Sequence, residues 1–120
     1  MARVLGLGGI FLKIADQDAW RAWYRDVLGV AIEDWGGAMF PHPDVGYTLV
    51  SAFAVDTDHF APSTAAFMIN LIVDDLDGVL AKAKSAGVEP LSRQDGEYGN
   101  FASLIDPAGI KVELWEPAAS

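Results

Sequence analysis

One acid sits inside an otherwise apolar stretch near the end of this 120-residue chain: Glu113, in "DPAGIKVELWEP", residues 106–117. The stretch reads as a turn followed by a strand. Strand alternation places Ile110, Val112 and Leu114 on one face and Lys111, Glu113 and Trp115 on the other. A carboxylate there has two readings. On a solvated face it pairs with Lys111, two residues away. In a cavity beside Trp115 it is partly desolvated, with a raised pKa, and serves as a general base or a hydrogen-bond acceptor. Asn70 poses a similar question, because it interrupts the apolar strand "FMINLIV". A buried amide needs partners, supplied either by a ligand cavity or by backbone at a strand bulge. The two histidines, His42 in "FPHPDVG" and His59 in "DTDHFAP", read as turn and linker residues, not as strand residues facing a cavity. The chain has no cysteine, which excludes disulfides, thiolate metal sites and cysteine nucleophiles. No histidine stands near a strained serine turn, so a serine triad is not indicated. "GLGG" near the start does not complete a dinucleotide fingerprint.

The elements that must position these residues come in two similar sets. Gly8–Ile14, "GGIFLKI", predicts a strand, and Asp16 offers a helix N-cap. Trp20, Trp23, Tyr24, Val27 and Leu28 follow at helical i, i+3, i+4, i+7, i+8 spacing, and Gly29 supplies the stop. "VAIED", a glycine turn at "GGAMF" and the apolar run "YTLVSAFAV" complete the first half. In the second half "FMINLIV" predicts a strand, and Asp74 or Asp75 caps a helix with Leu76, Val79, Leu80 and Ala83 on its buried face. Gly87 stops that helix, and the strands "VEPLS", "NFASLI" and "IKVELW" follow. Asp16 to Gly29 and Asp74 to Gly87 both span 13 positions, and each glycine precedes a valine, Val30 or Val88. The repeat predicts two tandem βαβββ modules. Module one covers about residues 1–56, a linker about 57–65 and module two about 66–117, within a single domain over residues 1–120. One helix followed by three strands in each half indicates an α+β fold with largely antiparallel sheets, not a parallel α/β sheet. "RQDGEYGN" reads as a hairpin connection or as a lid.

Composition narrows the partners. An apolar content of 52% suffices for a folded core, and a net charge of −9 without a basic cluster disfavours nucleic acid and anionic membrane surfaces. The acidic balance suits a cationic partner, though it chiefly serves solubility. No stretch approaches the roughly 20 apolar residues of a membrane span. The opening "MARVLGLGGIFLKIAD" reads as a strand and not as a cleaved leader, since Lys13 breaks its short apolar run. The absence of cysteine fits a reducing cytoplasm.

The strand "GGIFLKI" leading to "WYRDVLG", the segment "FMINLIVDDLDGVLAKAKSAGV" and the ending "DPAGIKVELWEP" together resemble the vicinal oxygen chelate superfamily, the glyoxalase, bleomycin-resistance and extradiol-dioxygenase group. The resemblance covers nearly the whole chain. It implies that each module curls its strands into a half-barrel cup, that two cups enclose a cavity, and that small members pair as homodimers. It also implies a divalent metal held by His, Glu or Gln on the first and last strand of each module. Only one of those four positions carries such a residue here. Glu113 matches the last strand of module two, whereas Val50, Gly9 and Met68 occupy the others. A thioether is a poor ligand for hard divalent ions.

The expected site therefore centres on Glu113 as the catalytic candidate. The ligand-binding candidates are Trp35, Phe40, Tyr47, Ser51, Asn70, Arg93, Tyr98, Asn100 and Trp115, aromatic and polar residues on or beside the cups. No metal ligand set and no cofactor is expected. One divalent ion held by Glu113 is the alternative. Two functions compete. One is a metal-independent protein that binds a small organic molecule, of the drug-sequestering sort. The other is an enzyme, a lyase, isomerase or dioxygenase-like member, acting on a small oxygenated compound with Glu113 as base or sole retained ligand. A purely structural module would leave Asn70 and Glu113 solvated or internally satisfied. The expected partners are a small-molecule ligand and a second copy of the chain, with no nucleic acid and no membrane.

Overall fold

The computed structural model describes residues 2–118. Its elements run α1 (Gln17–Asp26), β1 (Ile69–Ile72), α2 (Leu76–Ser85), β2 (Ser92–Gly96), β3 (Gly99–Ile105) and β4 (Lys111–Pro117). The strands form one sheet in the order β1-β4-β3-β2. β1 lies parallel to β4, and the other two pairings are antiparallel. This is the α+β class expected from the order of the elements.

Both helices start and stop where local chemistry dictates. Asp16 Oδ1 accepts a hydrogen bond from the Ala19 amide at 3.0 Å, and Asp75 Oδ1 accepts one from the Gly78 amide at 3.1 Å. The second N-cap is thus Asp75 and not Asp74. Past the helix ends, the Val30 amide donates to the Tyr24 carbonyl and the Val88 amide to the Ala83 carbonyl. Equivalent valines thus close the carbonyl ends of both helices, as the repeat predicts.

The two halves differ in their strands. The second half forms the whole sheet, with one shift of boundary. Of "VEPLS" only Ser92 belongs to β2, and Pro90 has no amide to donate to a ladder. The ladder begins with the Leu91 amide donating to the Ser103 carbonyl and continues through Arg93, Gln94 and Asp95. What reads as a loop in "RQDGEYGN" is therefore mostly hairpin, closed by Glu97 and Tyr98 between the paired Gly96 and Gly99. Among the described residues of the first half, α1 is the one regular element. The segments expected as strands, Gly8–Ile14, "VAIED" and "YTLVSAFAV", carry no strand pairing among the described residues. Many of their apolar side chains stay outside the core, with Phe11 95% exposed and Val50 81%, whereas Val30 and Ile32 pack partly buried against it. An apolar run specifies burial, but a strand also needs a neighbour to take its amides and carbonyls.

Alternation divides the sheet into two faces. Ala102, Leu104, Val112 and Leu114 meet Tyr24 of α1 and Leu76 of α2 in one buried cluster. Trp20, Trp23, Leu28, Val79 and Leu80 pack partly buried around it, as the helical spacing predicts. Each fully buried leucine contributes about 2 kcal/mol by leaving water.

A polar knot joins this core to the β3–β4 turn. Asp106 Oδ1 accepts from the amides of Ala108 at 2.9 Å and Ile110 at 3.0 Å, while its Oδ2 accepts from the Tyr24 hydroxyl at 2.7 Å. Asp106 and Tyr24 are each only 4% exposed. Burial first, then the hydrogen bond to Asp106 and its negative charge, push the Tyr24 phenol well above its usual range. Tyr24→Phe should cost about 2 kcal/mol in urea unfolding, the usual worth of a buried hydrogen bond to a charged group. The sign of the pH effect follows from the raised pKa. The folded phenol keeps its proton while the unfolded one releases it above pH about 10, so the stabilisation holds below that pH and declines as pH rises through it. Wild type should therefore lose stability faster than Tyr24→Phe between neutral and strongly alkaline pH. Parallel slopes for the two proteins would dismiss the linkage.

Candidate functional site

The sheet face opposite the helices gathers most of the candidate residues. Register aligns Asn70 of β1 with Glu113 of β4, Glu113 with Ser103 of β3, and Ser103 with Ser92 of β2. The result is one polar row across all four strands. Asn70 Nδ2 donates to Glu113 Oε1 at 2.8 Å, and the hydroxyls of Ser92 and Ser103 bond to each other at 2.9 Å. Asn70 thus finds its partner in the Glu113 side chain, not in backbone at a bulge. Lys111 does not ion-pair with Glu113 among the described residues. Its ammonium donates instead to the His59 carbonyl at 2.7 Å. Glu113 is half-buried and borders the concavity, while its partner Asn70 is exposed.

Beside the polar row runs an apolar one. Ile72, Trp115, Phe101 and Gln94 align across the same strands. Phe101 and Trp115 stack with parallel rings, centroids 6.1 Å apart, and Tyr47 meets Trp115 edge-on at 5.1 Å. The Trp115 indole donates to the Tyr98 carbonyl at 3.0 Å, which locks the ring. Gly46 brings the first half onto this wall. It stands at φ +97°, and a Cβ there would lie 2.9 Å from Ile72 Cδ1 and 3.2 Å from Pro117 Cγ. Only glycine meets both demands.

Between this sheet face and the first-half segments opens a concavity of about 1710 Å³. Of the residues singled out in the sequence, Glu113, Asn70, Trp115, Tyr47, Trp35, Phe40 and Ser51 all line it. Three do not. Arg93 lies across from Ala102, on the helix side of the sheet, and ion-pairs with Asp77 of α2 and with Asp95. Asn100 donates to Glu116 Oε1 at 2.9 Å on that same side. Tyr98 sits in the β2–β3 turn and reaches the site only through its carbonyl. Period-two alternation along β2 and β3 could have separated these residues from Glu113 had the register been known.

Three residues enter the wall unexpectedly. His42 and His59 both line the concavity. His59 stacks on Phe53 with centroids 5.1 Å apart, and the linker around it is anchored by the Lys111 bond and by Ser63 Oγ donating to the Gly109 carbonyl at 2.6 Å. Trp20, read as core, also reaches the concavity, and its buried indole N–H has no hydrogen-bond partner among the described residues. Nothing in the local pattern of either histidine marks a cavity residue. Their placement comes from the path of the linker.

Around Glu113 stand the Asn70 carboxamide and the Ser92 and Ser103 hydroxyls, and His59 and Lys111 line the same space. Among the described residues no group of three or more His, Asp or Glu side chains could hold a metal ion. A carboxamide and hydroxyls are weak ligands for a divalent metal, and Asn70 orients one Glu113 oxygen as a hydrogen-bond acceptor.

Comparison with known proteins places this architecture. The chain is 26% identical over 124 residues to a 1,2-dihydroxynaphthalene dioxygenase of Sphingobium xenophagum, covering 96% of the chain but only 40% of that relative's length. Among solved structures, a protein from the mobile metagenome of V. pseudocholerae superposes with a TM-score of 0.63 at 20% identity, with 99% of each chain covered. An antibiotic-binding protein from Streptomyces sp. CB03234 superposes with a TM-score of 0.55 at 22% identity, covering 88% of this chain and 89% of the other. Residues 6–114 match the family profile described as the Glyoxalase/Bleomycin resistance protein/Dioxygenase superfamily, and the chain belongs to that superfamily.

Proposed function

We propose that this protein binds a small organic molecule with a planar, apolar body in the concavity between the sheet and the first-half segments, without the divalent metal usual in the superfamily. The observation that carries this reading is the Asn70–Glu113 pair. One acidic oxygen is held by an amide, the pair opens on a wall of aromatic rings, and among the described residues no group of three or more His, Asp or Glu side chains gathers there. Aromatic walls with a few placed polar groups are the common pattern of small-molecule sites. Tyr47 and Trp115 supply the stacking surface, and Glu113 supplies the acceptor.

A second copy of the chain completes the proposal. The exposed apolar side chains of the first half, such as Phe11 and Val50, would be covered by pairing between protomers. Sedimentation at micromolar concentration should show a dimer. A monomer throughout would reject this part of the proposal.

A second reading is favoured by Glu113 itself and by the dioxygenase relative. Here Glu113 acts as general base on an oxygenated substrate bound in the same cavity. Glu113→Gln separates the two readings. In the first it should only weaken binding of a screened ligand, and in the second it should abolish turnover of a substrate that still binds.

Screening aromatic compounds by thermal shift, followed by calorimetry, should yield ligands of this chain. Tyr47→Ala, an exposed substitution, should weaken them about tenfold, the equivalent of one aromatic contact. Unchanged affinity for every ligand would remove the aromatic wall from the site. After loading with nickel, zinc, iron or manganese and dialysis, plasma mass spectrometry should find metal far below one ion per chain. Stoichiometric retention would reject the metal-independent reading.

A further inference from the structure

A second, smaller cavity of about 180 Å³ adjoins the concavity, and the two share Glu113 and His59. Its lining is mostly polar, with Ser92, Gln94, Ser103 and Lys111 joining the shared pair. It is the far end of the polar row. The space suffices for a small head group, since a water molecule takes about 30 Å³ of liquid.

The charges in this cavity are unusual for their arrangement. Lys111 and Glu113 are alternate residues on β4 and point to the same face, so their backbones stand about 7 Å apart. No ion pair joins them among the described residues. Each is held by a neutral neighbour instead: the Lys111 ammonium by the His59 carbonyl, and one Glu113 oxygen by the Asn70 amide. Each retains capacity, because an ammonium has three protons and a carboxylate two oxygens. A ligand bearing only a cation would meet Glu113 favourably but stand close to Lys111. A ligand bearing only an anion would face the reverse. A group that carries both charges on one carbon meets each partner with the right sign, and the Ser92–Ser103 hydroxyl pair lies beside it.

We infer that the small cavity is a head-group site for a zwitterion of the α-amino-acid type, whose apolar body extends past Glu113 into the aromatic concavity. This rests on the binding reading above and specifies the ligand's head.

Four indole compounds with graded heads test it: indole, tryptamine, indole-3-propionate and L-tryptophan, each titrated calorimetrically into the full chain. Tryptophan should bind at least about tenfold tighter than either singly charged compound, as two complementary contacts against one complementary and one opposed would give. Glu113→Gln should erase its advantage over indole-3-propionate. Lys111→Met should erase its advantage over tryptamine. Tryptamine or indole-3-propionate binding as tightly as tryptophan to wild type would overturn the inference, as would an advantage that survives both substitutions. Indole binding without any preference for the zwitterion overturns only the head-group site and leaves the cavity reading standing. Failure of all four compounds to bind overturns both.

Discussion

Asp106 decides where β4 begins, and β4 decides the site. One carboxylate closes the β3–β4 turn through the amides of Ala108 and Ile110, and it anchors that turn to α1 through the Tyr24 hydroxyl. The backbone repeats the closure, with the Asp106 amide donating to the Ile110 carbonyl at 2.9 Å. A strand's side chains alternate with a period of two, so a slip of one residue at this turn would move Glu113 into the leucine core and Val112 into the cavity. The knot is polar and buried, which makes it specific. Few other arrangements would satisfy a carboxyl group and a phenol under a layer of leucine and tryptophan.

With register set, the sheet becomes a two-sided device. Its helix side is apolar at the centre, where Ala102, Leu104, Val112 and Leu114 hold α1 and α2, and polar at the margin through Arg93, Asn100 and Glu116. Its other side is ruled into rows, one aromatic and one polar, and β4 contributes to both through Trp115 and Glu113. Four strands are needed for the polar row, since Asn70 comes from the parallel edge strand and Ser92 from the antiparallel one. Placing Asn70 against Glu113 requires β1 to lie beside β4 across 43 residues of chain, with α2 packed on the helix side and the β2–β3 hairpin lying beyond β4 in the sheet. The first half then supplies the roof. Gly46 and Tyr47 press on Trp115, and the linker, tied at His59 and Ser63, closes the end near Lys111.

Much of this was legible in residue order. The caps at Asp16 and Asp75, the helical faces of Trp20 to Leu28 and Leu76 to Ala83, and the opposed faces of "IKVELW" follow from local rules of hydrogen bonding and periodicity. Those rules act within a few residues. They marked Glu113 and Asn70 as out of place on apolar strands, and both lie in the site. The misplacements share one cause. Arg93 and Asn100 are polar residues next to the right strands, but their side of the sheet depends on pairing partners distant in sequence. The first-half segments have strand composition without strand partners, and composition cannot create the partner.

The sequence by itself determined the α+β class, the repeat of helix signals, the superfamily resemblance and the isolation of one carboxylate where four metal ligands would be expected. These are properties of residue type and spacing. Only the tertiary structure decided that Glu113 is held by Asn70 and not by Lys111, that Lys111 turns to the linker, and that His42 and His59 join the wall. Each of those outcomes compares contacts between residues far apart in the chain. Such contacts exist only once register has been set and the linker has found its path.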